Sequence, residues 1–217
     1  MGFEKCQFGK NDSKNPALFL YATFISFVNF RNTIFHSGLN IENINLKESP
    51  NFLNSIINPK NSNRETFRII KNSFDETRNV IEGNKYFAEE MKKYREEIKK
   101  TGKWDEKIIL WFNSVFSNFG QSYIRPILAL LTCSFCYYLL QLGYKENMLY
   151  EIYPALNEHI NCFSHHLNGF AKSLIPFNKF LFEGMEFVSL LFYIFNSSFI
   201  WLAIVAIKRR TKRSSIA

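Results

Sequence analysis

Two stretches of this chain constrain everything around them: residues 123–142, 20 residues with Arg125 as their one charge, and residues 187–207, 21 residues with none. At about 1.5 Å of rise per residue each makes a helix roughly 30 Å long, the thickness of a bilayer's hydrocarbon core. The charges are distributed to match. Residues 1–125 carry 19 Lys and Arg against 14 Asp and Glu, residues 144–186 carry 3 against 5, and residues 208–217 carry 5 with no acid. Because Lys and Arg stay on the cytoplasmic side of a membrane, Lys208, Arg209, Arg210, Lys212 and Arg213 predict an inside C-terminus. Two crossings then return the N-terminal part to the same side and leave residues 144–186 as an outer loop, while Arg125 lies near a span end where its side chain can snorkel. The expectation is a multi-pass protein of the cell (inner) membrane with both termini cytoplasmic and the lipid bilayer as its first partner. The competing reading is a hairpin of buried core helices.

The same placement decides what the formal net charge of +8 means. The basic residues flank apolar segments and are not interleaved with aromatics in an RNA-binding motif, so no nucleic-acid partner is expected. The mean hydropathy of −0.15 averages a polar first half with an apolar second half. Cys6, Cys133, Cys136 and Cys162 are too few and too scattered for a disulfide framework. The first twelve residues lack the apolar run of a secretory signal, and Cys6 stands where a myristoylation motif needs Ser or Thr.

Near the N-terminus a different periodicity takes over. Leu20, Ile25, Phe30 and Phe35 recur every five residues, and Leu18, Thr23, Val28 and Thr33 each precede one of them by two. A period of five fits neither a helix nor a flat strand. It predicts a square β-coil with these residues inside, and in this the chain resembles pentapeptide-repeat proteins; a Phe-rich hairpin is the alternative. A coil of little more than one turn cannot bury its own apolar face, so something must cap it. Residues 1–63 are thus expected to hold a short pentapeptide-like β region and a linker, with Pro50 and Pro59 marking 49–63 as an irregular connection.

Residues 64–103 read as a cytoplasmic helical hairpin. Ser62 and Glu65 are spaced as a capping box, Phe67, Ile70 and Phe74 share one face of a helix over 64–78, and Asn79 ends it. Phe87, Met91, Tyr94 and Ile98 form the apolar face of a second helix over 80–100, whose other face, Glu89, Glu90, Lys92, Lys93, Glu96 and Lys99, is expected in solvent. This stretch resembles the helical segment that follows the coil in membrane-bound pentapeptide-repeat proteins. Phe87, Glu90 and Met91 match, whereas Gly83 stands where that family favours Ala. In residues 104–120, Trp104, Ile108, Trp111, Phe112, Val115 and Phe119 make a stripe suited to a helix lying on the bilayer surface, with an ordinary core helix as the alternative. Residues 121–217 complete the chain as a two-span membrane module. The expected fold class is therefore an α+β membrane protein: short pentapeptide-like β-coil, helical hairpin, interfacial helix and two transmembrane helices.

Candidate chemistry is sparse. There is no Gly-rich phosphate loop, no G-x-S-x-G and no H-E-x-x-H, so neither an enzyme nor a cofactor is expected. His159, Cys162, His165 and His166 are spaced at three and four and could hold zinc or copper if helical; a polar loop helix is the alternative. Cys133 and Cys136 sit inside the first span, where packing explains them better than redox chemistry. Asn196, Ser197 and Ser198 interrupt the second span near its middle, level with Thr132 in the first. An amide costs several kcal/mol to leave unpaired in hydrocarbon, so these positions either join helices or line a polar path. Residues 171–187, broken by Pro176 and Gly184, read as an interfacial helix that anchors the loop or, since they sit where two-span channels carry one, as a re-entrant helix; the T-x-G-Y-G filter found in some membrane pentapeptide-repeat proteins is missing, so potassium selectivity is not implied. Two functions stand. One is a non-enzymatic anchored module whose cytoplasmic part senses or binds a protein partner and whose spans form a homo-oligomer. The other is a channel or pore-forming effector, as in antiviral defence, gated by that part.

Overall fold

A large apolar residue at every fifth or sixth position cannot face one way along a helix or a strand, so the chain must turn a corner between successive ones. The computed structural model, which describes residues 1–10, 14–145, 164 and 181–211, does this at its N-terminus. Seven two-residue strands follow one another: β1 (Gln7–Phe8), β2 (Ala17–Leu18), β3 (Thr23–Phe24), β4 (Ile34–Phe35), β5 (Leu39–Asn40), β6 (Asn45–Leu46) and β7 (Ile56–Ile57). All their pairings are parallel. Ala17 lies beside Leu39, Thr23 beside Asn45 and Ile34 beside Ile56, each 22 residues on, while Gln7 lies beside Ile34, 27 residues on. The extra five residues fall between β1 and β2. Bridges from Gly2 to Asn29 and from Asn29 to Asn51 make a fourth side, so the strands wind as a four-sided coil. With helices α1 (Arg64–Glu76), α2 (Val80–Thr101), α3 (Trp104–Ser117), α4 (Ile124–Lys145) and α5 (Glu186–Thr211), the described residues form a mixed α/β protein.

Stacked rings fill the coil. Phe30 lies between Phe3 and Phe52 at centroid distances of 5.2 and 5.0 Å with nearly parallel planes, and Phe8 stacks on Phe35 at 5.0 Å. Phe19 meets Phe3, Phe8 and Phe30 edge-on. The core sequence Phe19, Phe24, Phe30, Phe35, Ile41, Leu46, Phe52, Ile57 therefore advances by five and six alternately, which closes each turn in 22 residues. Every five-residue step turns through a left-handed residue: Tyr21, Asn32, Asn43 and Asn54, with φ from 54° to 58°. Asn tolerates that conformation better than most side chains, and Asn54 also donates to Asn32 across adjacent turns at 3.2 Å.

The alternation corrects the strict five-residue reading. Val28, Phe30, Thr33 and Phe35 are buried as that spacing predicts, but Leu18, Leu20, Thr23 and Ile25 are exposed, Ile25 by 78%. The six-residue step from Phe24 to Phe30 shifts the phase by one position, so Phe19 and Phe24 take the inward places assigned to Leu20 and Ile25. Residues 49–63 are also not a mere connection, since Asn51 and β7 continue the coil.

The last turn leaves unpaired backbone donors, and α1 covers them. The N–H groups of Ala17, Phe19 and Tyr21 donate to carbonyls of the next turn. One turn later the corresponding donors of Leu39, Ile41 and Asn43 meet Ser62 Oγ, Thr66 Oγ1 and Glu65 Oε1 at 3.0, 3.1 and 3.4 Å. Side-chain acceptors thus close a sheet edge that would otherwise stay open. This also changes the expected cap of α1. Asn63 caps it by accepting from Thr66 N, because Ser62 is committed to Leu39.

Phe67, Ile70 and Phe74 are buried on α1 as their spacing predicts. Asn79 does not end α1 but caps α2, accepting from Glu82 N. On α2 the deeply buried face is rotated from the expected one. Tyr86 stacks on Phe74 at 5.6 Å and on Phe67 at 6.3 Å, and Glu90, expected in solvent, is buried and paired with Lys71 at 3.2 Å. Burial pushes the Tyr86 phenol up to about 12. Gly83 lets the two helices approach closely, since a Cβ there would lie 2.6 Å from Asp75 Oδ1.

Candidate membrane module and its polar positions

Two helices, α4 over residues 124–141 and α5 over 186–211, are long and apolar enough to cross a membrane. Within α4 only 6% of that window is buried. Leu128, Leu131, Phe135 and Leu139 share one exposed face of α4, with Leu140 exposed on another, and on α5 Leu191, Phe195, Ile200, Trp201, Ile204 and Ile207 are exposed around the helix. A soluble core helix buries such residues; a lipid-facing one leaves them outward.

The polar groups of the two helices meet in two places. Asn196 Nδ2 donates to Ser134 Oγ at 3.4 Å, and Asn196 Oδ1 is buried with no hydrogen-bond partner among the described residues. Further along, Tyr137 Oη donates to Ser189 Oγ at 2.6 Å while the Tyr137 ring stacks on Phe192 at 5.0 Å. The other sequence candidates stay on their own helices. Thr132 Oγ1 donates to Leu128 O at 2.9 Å, Ser198 Oγ donates to Ile194 O at 2.9 Å, and Ser197 is exposed, its side chain without a hydrogen bond among the described residues. Asn196 stands out in the sequence, and Ser134 belongs with Thr132, Cys133 and Cys136 to the small residues that suit helix packing in the first span, whereas Tyr137 and Ser189 do not stand out. Their spacing held a signal: Ser134 and Tyr137 are three apart and Ser189 and Asn196 are seven apart, each pair on one helix face.

The flanking basic residues divide. Arg125 and Lys208 are exposed. Arg209 Nη1 donates to Phe119 O, its guanidinium lies 4.7 Å from the Phe87 ring centre, and Gly120 leaves it room, since a Cβ there would come within 2.7 Å of Nη1. Arg210 donates to Gln121 O at 2.9 Å, and Asn84 Nδ2 donates to Arg209 O at 3.1 Å. Lys212 and Arg213 lie outside the described residues, as do His159, Cys162, His165 and His166 and residues 171–180 of the amphipathic segment before the second span. Among the described residues no group of three or more His, Cys, Asp or Glu could hold a metal, and Cys6, Cys133 and Cys136 are free thiols.

On α3 the expected stripe is partly realised. Trp104, Ile108, Trp111 and Val115 are exposed, whereas Phe119 lies past the helix end and is buried. Neither a protein-family model nor a curated protein nor a solved structure matches the chain.

Proposed function

We propose that the protein is a non-enzymatic integral membrane protein of the cell membrane. Its β-coil and helical hairpin act on the cytoplasmic side as a module that binds or senses a protein partner, anchored by α4 and α5, which associate into a homo-oligomer. The observation that carries the reading is the outward apolar surface of α4 and α5. The excess of Lys and Arg in residues 208–217 supports cytoplasmic termini. Membership of the pentapeptide-repeat class belongs to the same proposal; the alternation of five and six departs from a strict repeat of five. Reconstitution into liposomes tests the anchor. The chain should resist alkaline extraction, and protease added outside should cut either the loop or both termini, never all three. Extraction as a soluble protein would end the reading.

A second function rests on Asn196. Its buried Oδ1, without a partner among the described residues, suits a water-lined path built by several copies, since two helices cannot enclose one alone. In that case the protein is a pore-forming effector. Liposomes would leak ions, and Asn196→Leu would abolish the leak with the detergent-solubilised mass unchanged. Tight liposomes under every trigger applied would leave the anchored module.

A further inference from the structure

We infer that the groove between the end of α2 and the start of α3 is a binding site for one anionic phospholipid of the adjoining bilayer. The inference rests on the membrane reading above and adds a ligand and the residues that recognise it. The groove is open to the surface and has a volume of about 300 Å³. It is lined by the apolar Ile98, Ile108, Trp104 and Trp111 and by Arg95, Lys99 and Lys107, and by no carboxylate. Apolar side chains and three cations in one groove match the two halves of an anionic lipid, an acyl chain for the former and a phosphate for the latter.

The charge pattern of α1 and α2 singles out this place. Among the described side chains elsewhere on the pair, the basic ones sit against acids: Arg64 with Glu97, Arg68 with Glu65, Lys71 with Glu90, Lys85 with Glu82, Lys92 with Glu89 and Lys93 with Glu96. Arg95, Lys99 and Lys107 have no ion pair among the described residues, and Arg95 makes one hydrogen bond, from Nη1 to Ser114 Oγ at 2.6 Å. Three cations without an ion pair thus line one groove, and a phosphodiester would supply the missing charge. The walls agree. Trp104 is 80% exposed and Trp111 51% exposed, a large apolar surface to leave in water, and Trp is favoured at the depth of lipid headgroups.

The test uses the full chain with Trp201→Phe, so that emission comes from Trp104 and Trp111, in phosphatidylcholine nanodiscs containing increasing phosphatidylglycerol. The emission should move to shorter wavelength and saturate with the anionic fraction. Each basic residue near an anionic surface contributes about fivefold to occupancy, so Lys99→Gln with Lys107→Gln should raise the half-saturating fraction by about 25-fold, which removes the response over the accessible range. Lys47→Gln with Lys60→Gln, an equal loss of charge on the coil side, should leave it intact. A chain that resists alkaline extraction yet gives the same emission with and without phosphatidylglycerol overturns the lipid site while the membrane anchor stands. A chain extracted by alkali overturns both. A response to soluble polyglutamate with none to phosphatidylglycerol assigns the groove to an acidic protein segment and overturns the lipid site as well.

Discussion

Replacing Phe30 by Ala should open the β-coil locally, and the size of the effect follows from where the ring lies. Phe30 is 1% exposed, stacked between Phe3 and Phe52, with Phe19 and Phe35 edge-on at 5.7 and 5.8 Å. The neighbouring rings cannot close the void without moving backbone that is hydrogen-bonded between turns, from Phe3 N to Asn29 O at 2.8 Å and from Phe30 N to Asn51 O at 2.8 Å. Truncating a buried Phe costs about 3–5 kcal/mol, a figure that includes the lost ring pairs at about 0.5–1.5 kcal/mol each. Hydrogen exchange on the reconstituted protein reads this directly. Where exchange follows local opening, the amides of Phe30, Asn32, Asn51 and Ile56 should exchange roughly 10²- to 10⁴-fold faster. Ile25→Ala is the matched control, because Ile25 points outward and a surface change of this kind stays within about 0.5 kcal/mol. If Ile25→Ala were as damaging as Phe30→Ala, the alternating register would be wrong and the strict five-residue one right.

Other perturbations test the parts that cap and brace the coil. Thr66→Val keeps the shape but removes the acceptor of the buried Ile41 N–H, so thermal denaturation should show a loss of about 1–3 kcal/mol that Thr66→Ser largely restores. Glu90→Ala leaves the Lys71 ammonium, 22% exposed, without its carboxylate; the cost should be about 1–3 kcal/mol, reduced by that exposure, and a double-mutant cycle with Lys71→Ala should recover part of it. The Tyr86 phenol is held up to about 12 against an ordinary value of 10.0, so the folded state favours its neutral form. That contribution, on the order of 2–3 kcal/mol, is fully present below pH 10 and is lost as the pH rises from 10 towards 12. The alkaline fall in melting temperature should therefore be shallower in Tyr86→Phe, and an unchanged slope would refute the assignment.

Legibility in the sequence tracked how local each pattern is. The helices were readable almost to their ends, because a helix closes its hydrogen bonds within four residues and its buried face repeats every three or four: Phe67, Ile70 and Phe74 fell where their spacing put them. Composition and length alone marked α4 and α5 as long apolar helices. The candidate polar positions were legible only in part. Asn196 stands out in an apolar run, but its partner Ser134 looks like any small residue of a packed helix, and the Tyr137 to Ser189 bond joins residues 52 apart.

What the chain alone determined was which segments are apolar, which are charged, and that the N-terminal region has a repeat near five. Only the tertiary structure decided the phase of that repeat. Each strand has two residues, too few to specify its own register, so the register is set by what stacks on it one turn away: Phe3 on Phe30 on Phe52. The same applies to Glu90. Among alternating Lys and Glu residues any carboxylate reads as solvated, and the one drawn inward was chosen by Lys71 on the opposite helix, since a buried carboxylate is tolerable only beside the charge that neutralises it.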